Sequence, residues 1–223
     1  MLDRLRQPAG VGGGWLQSVS LLEAKRDHAA ATLIVKRANG GEDRFAPLED
    51  YIPGFYFGAE ESAVTAPATY LGFGIHAPGL GHDDFKGVDV RGRIAVVLDG
   101  APPGFPNSQR AHYSGRAKID ELHARGVVGI VTVDTPKEEV RVPWERKKKL
   151  TWNPRMRLLD AAGAPVDAYP GIKAAATVSV FAAPRLLRAR RRPRTRRSPR
   201  PRPVAPAPSR CREKFRYRCA IRW

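Results

Sequence analysis

Positive charge in this chain of 223 residues is segregated into the last 39, and that segregation limits what each part can fold into. From Arg185 to Trp223 there are 16 Lys and Arg against one acid, Glu213, a net of +15. From Met1 to Pro184 there are 23 Lys and Arg against 21 Asp and Glu, a net of +2. A basic total normally points to nucleic acid or an anionic membrane. Here that reading applies to the tail alone, and the body is a nearly neutral globular domain. Within the tail, Arg188 to Pro203 is almost all Arg and Pro. Its like charges repel, its prolines forbid regular structure and its few apolar groups cannot offset chain entropy. The expectation for 184–223 is disorder.

A body of 184 residues suffices for one domain with a sizeable core, or one domain and a flanking piece. No run of 18 apolar residues occurs, so no membrane-spanning helix is expected. Met1 to Arg6 has no apolar stretch behind it, so no export signal is visible. The body has no cysteine. Cys211 and Cys219 lie eight apart in the tail with no histidine near them, which is not a zinc pattern.

Periodicity supplies the elements. Trp15 to Leu22 alternates and Ala31 to Lys36 is β-branched, so the two are expected to pair as a hairpin across Glu23 to Ala30. Asn39-Gly40-Gly41 signals a turn. Phe45 to Phe57 is aromatic but broken by Pro47 and Pro53, which suits short edge strands. Ala68 to Ile75 reads as a strand, and Ala77 to Gly92 as a glycine-rich loop. Ile94 to Leu98 and Val127 to Val133 read as strands buried on both faces. Between them, Ser114 to Arg125 reads as a helix with Ser114 as N-cap and Gly126 as the stop. A right-handed parallel crossover is the default for this unit. Val140 to Met156, with Glu145-Arg146-Lys147-Lys148-Lys149, reads as a solvated loop. Pro165 to Lys173 reads as loop and Ala174 to Phe181 as a closing strand. The class is α+β with a strand-rich core.

The stretch Tyr70-Leu-Gly-Phe-Gly-Ile-His-Ala-Pro-Gly-Leu-Gly-His-Asp-Asp-Phe-Lys-Gly-Val-Asp-Val-Arg-Gly-Arg-Ile-Ala-Val-Val-Leu98 resembles the protease-associated (PA) domain. The version it looks most like is inserted in bacterial zinc aminopeptidases related to glutamate carboxypeptidase. Phe73 and Phe85 stand where that family has tyrosines, His82 stands for the first tyrosine of its acidic knot, and Arg91 and Arg93 stand for lysines. Gly100-Ala101-Pro102, Lys118 and the Gly126 turn into Val127 continue the likeness. The resemblance implies a small open β-barrel with a few flanking helices over 66–183, preceded by lead-in strands of the parent peptidase over 1–65. It implies a role in substrate access or partner contact beside a peptidase site, with the parent's two zinc ions bound outside this segment. The parent family is usually exported, to the periplasm or beyond.

A two-zinc hydrolase needs about five His, Asp and Glu ligands and a general base. The Asp-Asn segment of the family is missing here, and a His-x-Asp spacing occurs only as His82-Asp83-Asp84, inside the stretch that resembles the family's acidic knot. Glu60-Glu61 and Glu138-Glu139 are read as surface charge. His76, His82, Asp83 and Asp84 form the metal candidate; the preferred alternative is that the two aspartates cap backbone amides in a tight turn. Ser114 with His112 or His123 and Asp120 could compose a hydrolytic triad, but Ser114 is outside a Gly-x-Ser-x-Gly elbow. Gly72-Phe73-Gly74 lacks the third glycine and helix of a phosphate turn. The expectation is therefore no catalytic residue, no cofactor and no metal in this chain.

Two readings of function remain. The first is a non-catalytic PA module, a truncated piece of an aminopeptidase-like metallopeptidase, whose partner is a peptide, a protein or the missing peptidase domain. The second is an interaction protein that binds nucleic acid through its tail, with affinity falling by roughly 10³ to 10⁵ between 50 and 200 mM salt if ~6–10 phosphates are engaged. Arg, Pro and Ala are residues of GC-rich codons, so the tail also fits a shifted reading frame. If it is one, another frame downstream of codon 183 should encode the zinc-ligand segments; their absence from both would end the frameshift reading.

Overall fold

A computed structural model of the chain describes residues 18–37, 40–166 and 168–188, with the backbone of 213–222. It is α+β: a strand-rich sheet curls into a half-barrel and carries five helices. Ten strands make this sheet. In chain order the elements are β1 (Leu21–Arg26), β2 (Thr32–Lys36), β3 (Glu42–Phe45), β4 (Tyr51–Pro53), β5 (Glu61–Tyr70), β6 (His76–Ala77), β7 (His82–Asp83) and β8 (Ile94–Leu98). There follow α1 (Asn107–Ser114), α2 (Arg116–Ala124), β9 (Gly129–Val133), α3 (Pro136–Arg141), α4 (Trp144–Leu150), β10 (Arg155–Leu158), β11 (Ala174–Val178), α5 (Ala183–Leu186) and β12 (Glu213–Arg222). The strand path is β10-β1-β12-β5-β8-β9-β11-β4, with β2 beside β12 and β3 beside β2. β6 and β7 form a separate two-stranded ribbon.

The centre of the sheet is parallel. β5 pairs with β8, β8 with β9 and β9 with β11, all in the same direction. Side chains alternate across a strand, so a continuous apolar run serves two cores at once. Ile94 and Val96 face the inside of the half-barrel with Leu33, Val35, Tyr51, Val131, Val133 and Val178. Ala95 and Val97 face the other way, against Leu122 of α2 and Val127, Ile130 and Phe85. Leu122 is fully buried, whereas Ile119 of the same helix is partly exposed.

The β2–β3 turn falls where Gly40 was expected to place it, with Gly40 at φ +86°. β4 is a short edge strand on β11, also as read. Four expectations need correction. β1 and β2 do not form a hairpin: β1 pairs with β10 and β12, and β2 with β12 and β3. β1 runs through residues assigned to the turn. β5 starts at Glu61 and stops at Tyr70, because Gly72 and Gly74 take positive φ and turn the chain out of the sheet. The single helix from Ser114 is two helices, and Ser114 ends the first; its hydroxyl donates to the Ala111 carbonyl at 3.3 Å instead of capping. The solvated loop over 140–156 is largely helix and strand.

That last difference has a clear cause. Trp144 is buried at the start of α4 and its indole N–H donates to the Leu48 carbonyl at 2.8 Å. One turn on, Lys147 donates to both carboxylate oxygens of Asp134, at 2.7 and 2.6 Å. Asp134 closes β9 and is 2% exposed. Burial pushes its carboxyl pKa up, against the pull of the ammonium. A charge run thus contains one apolar anchor and one buried ion pair. Of the tail, the backbone of 213–222 pairs as β12 between β2 and β5, and residues 189–212 and 223 lie outside the described residues; the disorder read for 184–223 remains an expectation. Arg37 fixes the end of α5 by donating to the carbonyls of Arg185 at 2.6 Å and Leu186 at 3.3 Å.

Removing one member of a buried pair leaves an uncompensated charge. Lys147→Met should lower stability by ~3–5 kcal/mol, read by urea unfolding, and the double variant Asp134→Leu/Lys147→Met should recover most of that loss.

Candidate functional site

Two regions carry the polar and apolar groups that could act on another molecule. The first is the turn that follows β5. Gly72 and Gly74 adopt φ of +61° and +65°. A Cβ on Gly74 would meet Val97 Cγ1 at 2.6 Å, and one on Gly72 would meet Asp84 Oδ1 at 3.0 Å. The turn therefore needs glycine both for its backbone and for its closeness to β8. Asp84 accepts the Ile75 amide at 3.1 Å, and Asp83 accepts the Phe85 amide at 2.9 Å. Each aspartate also faces a histidine: His76 Nδ1 is 3.3 Å from Asp83, and His82 Nε2 is 3.0 Å from Asp84. The ribbon register sets His76 opposite Asp83. Desolvation pushes the Asp83 carboxyl up, but the Phe85 amide and His76 outweigh it and hold the group below its ordinary pKa. His82 also packs edge-on against Phe105, ring centroids 5.3 Å apart.

The four residues read as the metal candidate are thus neighbours, arranged as two His–Asp pairs with both carboxylates on backbone amides. Among the described residues, no group of three or more His, Cys, Asp and Glu side chains could hold a metal ion. The triad residues do not converge. Asp120 accepts the Tyr169 hydroxyl at 2.7 Å, His123 lies edge-on to the Tyr169 ring, and Ser114 bonds within its own helix. Glu60 and Glu61 are exposed as expected, but Glu138 is buried, which corrects its assignment to the surface. Glu138 accepts the Arg141 Nε–H at 2.8 Å, and Glu139 accepts the Trp144 amide at 3.1 Å. Gly72-Phe73-Gly74 leads into the β6–β7 ribbon and not into a helix.

Lys118 was noted in the sequence for its place in a motif, not for its chemistry. It is 7% exposed, and its ammonium donates to the carbonyls of Leu98 at 2.9 Å and Gly100 at 2.7 Å. Burial brings its pKa down to about 8, with Asp99 and Asp84 resisting the fall. A cavity of about 610 Å³ opens beside it at the carboxyl ends of β8 and β9, lined by Phe73, Asp99, Arg110 and Ser114 among others. Two of the three ammonium protons are taken by backbone, so Lys118 pins the chain where it leaves β8.

The second region is an apolar groove of about 840 Å³ on the α2 side of the sheet. Its lining includes Ile119, Ile130, Ile172 and Ala175. Residues 55–58 and 154–157 line it as well, with Tyr169 and Pro170. Phe55 and Phe57 stack at 5.7 Å between ring centroids. The Arg26 guanidinium lies 3.8 Å over Phe55 and that of Arg157 lies 5.0 Å over Phe57. Phe55-Tyr56-Phe57 was the signal in the sequence. It could not be turned into a groove without knowing that β10 crosses to meet it.

A third feature is smaller. His28, in the loop between β1 and β2, is 6% exposed and meets Trp152 edge-on at 4.6 Å. Burial lowers its pKa, and the nearby Arg26 lowers it further, against the Thr151 carbonyl and Asp27.

No family model matches the chain, and no curated protein sequence matches it either. Among solved structures it is similar to the aminopeptidase from Aneurinibacillus sp. strain AM-1, with a TM-score of 0.33 and 12% identity. The alignment covers 92% of this chain and 34% of that one, so the chain spans about a third of that protein's length. A likeness this loose carries no argument about fold or activity. Among the described residues, no helix is long and apolar enough to cross a membrane.

His28 gives a prediction with a definite sign. Its folded pKa lies below the unfolded value near 6.5, so the unfolded chain binds the proton more readily. Stability should fall as pH drops below about 6.5 and stop falling once the folded ring also protonates. Urea midpoints between pH 7.5 and 5 should decline less steeply in His28→Leu than in the parent chain.

Proposed function

We propose that this chain is a non-catalytic accessory module of the PA kind, a piece of a zinc-dependent aminopeptidase-like parent, working in substrate access or partner contact. The resemblance of Tyr70 to Leu98 suggests the family. The observation that carries the functional half of the reading is the state of the acids and histidines in that stretch. Asp83 and Asp84 are spent on the Phe85 and Ile75 amides, and each has a histidine against it. Carboxylates held in this way shape a turn. A hydrolytic site would instead direct several of them at one point, where a metal or a water could sit.

The same logic extends to the other buried charges. Lys118 holds two strand-end carbonyls, Asp134 holds Lys147, and Glu138 holds Arg141. Their charge is used within the fold. At the groove, the described residues offer shape, apolar area and two arginines, which suits a binding module.

The reading is tested on the purified chain by metal analysis and by amino-acid release from leucyl peptides with added zinc. The expected outcome is no tightly held zinc and no release. Stoichiometric zinc that survives dialysis, together with turnover, would overturn it.

A further inference from the structure

We infer that the groove between 55–58 and 154–157 is a docking slot for an extended peptide carrying apolar side chains flanked by carboxylates. The inference rests on the accessory-module reading and supplies that module with the chemistry of its partner.

The geometry of the lining comes first. A strand that turns one face to a cavity contributes every second residue to it, so consecutive lining residues indicate that its edge is turned that way. Arg155, Met156 and Arg157 of β10 all line the groove, with Pro154 before the strand and the non-strand residues Phe55, Tyr56, Phe57 and Gly58. β10 is the terminal strand of the sheet path, so that edge has no strand beside it. The Leu159 amide donates to Ser20, which by the alternation of an antiparallel ladder turns Arg157 and Arg155 toward β1 and Leu158 and Met156 outward. The Val166 amide already reaches the Leu158 carbonyl from that outer side, at 2.8 Å. The Met156 amide and carbonyl are left facing the groove, and its side chain is 53% exposed. An extended chain adding to this edge would gain main-chain hydrogen bonds at Met156.

Charge selects the occupant. Arg155 and Arg157 are the charged residues of the lining among the described residues. Neither guanidinium has a carboxylate at ion-pair distance among the described residues. A carboxylate on the incoming peptide would complete them, in the geometry arginine favours. Ile119, Ile130 and Ile172 of the lining would take an apolar side chain between two such acids. The chain's own residues 189–212 carry the same sign as the two arginines and do not fit. Single-stranded nucleic acid fits less well, because the aromatic faces it would stack on are occupied: Phe55 by Arg26 and Phe57 by Arg157.

The test is fluorescence anisotropy on the full chain with a labelled acetyl-Glu-Val-Phe-Glu-Val-amide probe. A second probe has lysine in place of glutamate, and a third is oligo(dT). The acidic peptide should bind at least tenfold more tightly than the lysine peptide, and Arg155→Glu/Arg157→Glu should reverse that order. Met156→Pro, which removes the edge amide, should weaken the acidic probe; if it fails to fold by circular dichroism, the charge-reversal pair decides. Equal affinity for both peptides, no change on charge reversal, no peptide binding, or tighter binding of oligo(dT) would each overturn the slot. Mass spectrometry of the recovered probe keeps the two readings apart. A cleaved probe defeats the non-catalytic reading and leaves the slot standing, whereas an intact, unbound probe defeats the slot alone.

Discussion

The structure depends on β8 being dry on both faces. Ile94 and Val96 close the half-barrel, while Ala95 and Val97 seat α2 through Leu122. Everything placed around the glycine-rich turn follows from that arrangement. Leu71 and Leu98 exchange backbone bonds with Val96 and Gly72, so the turn is stitched to β8 at both its ends. Gly74 lies against Val97 itself. A polar residue at either face of β8 would open one core or the other, and the turn would lose the surface it rests on.

How much of this was legible in the sequence follows from the kind of signal each element carries. The buried parallel strands were, because an apolar run of that length has few other uses. Ile94 to Leu98 matches its strand residue for residue, and β9 and β11 lie within theirs. The turn at Gly40 was also legible, whereas Gly72 and Gly74 were read inside a strand and instead take positive φ and end it. The pairing of β1 was not. Alternation shows that a segment is a strand but not which strand lies next to it, and β12 takes the place expected for β2. α4 was hidden in its charges: Trp144 and Lys147 face inward, but nothing local separates them from Arg146, Lys148 and Lys149 around them.

The candidate site divides along the same line. The cluster of His76, His82, Asp83 and Asp84 is contiguous in sequence, and so its turn-capping role could be argued from residues alone. The groove brings together 55–58, 154–157 and α2, which are separated by dozens of residues. Only the curl of the sheet unites them. Lys118 lies between these cases. Its position within a motif was visible, but its burial against two carbonyls depends on how the chain leaves β8.

The arginines that flank Met156 have one more effect. An open strand edge is a template for copies of itself, and such edges seed aggregation unless something discourages them. A second molecule approaching β10 edge to edge would bring guanidinium groups toward guanidinium groups. The chain can therefore keep this rim unpaired in concentrated solution, and neutralising both cations would be expected to make it a self-associating protein.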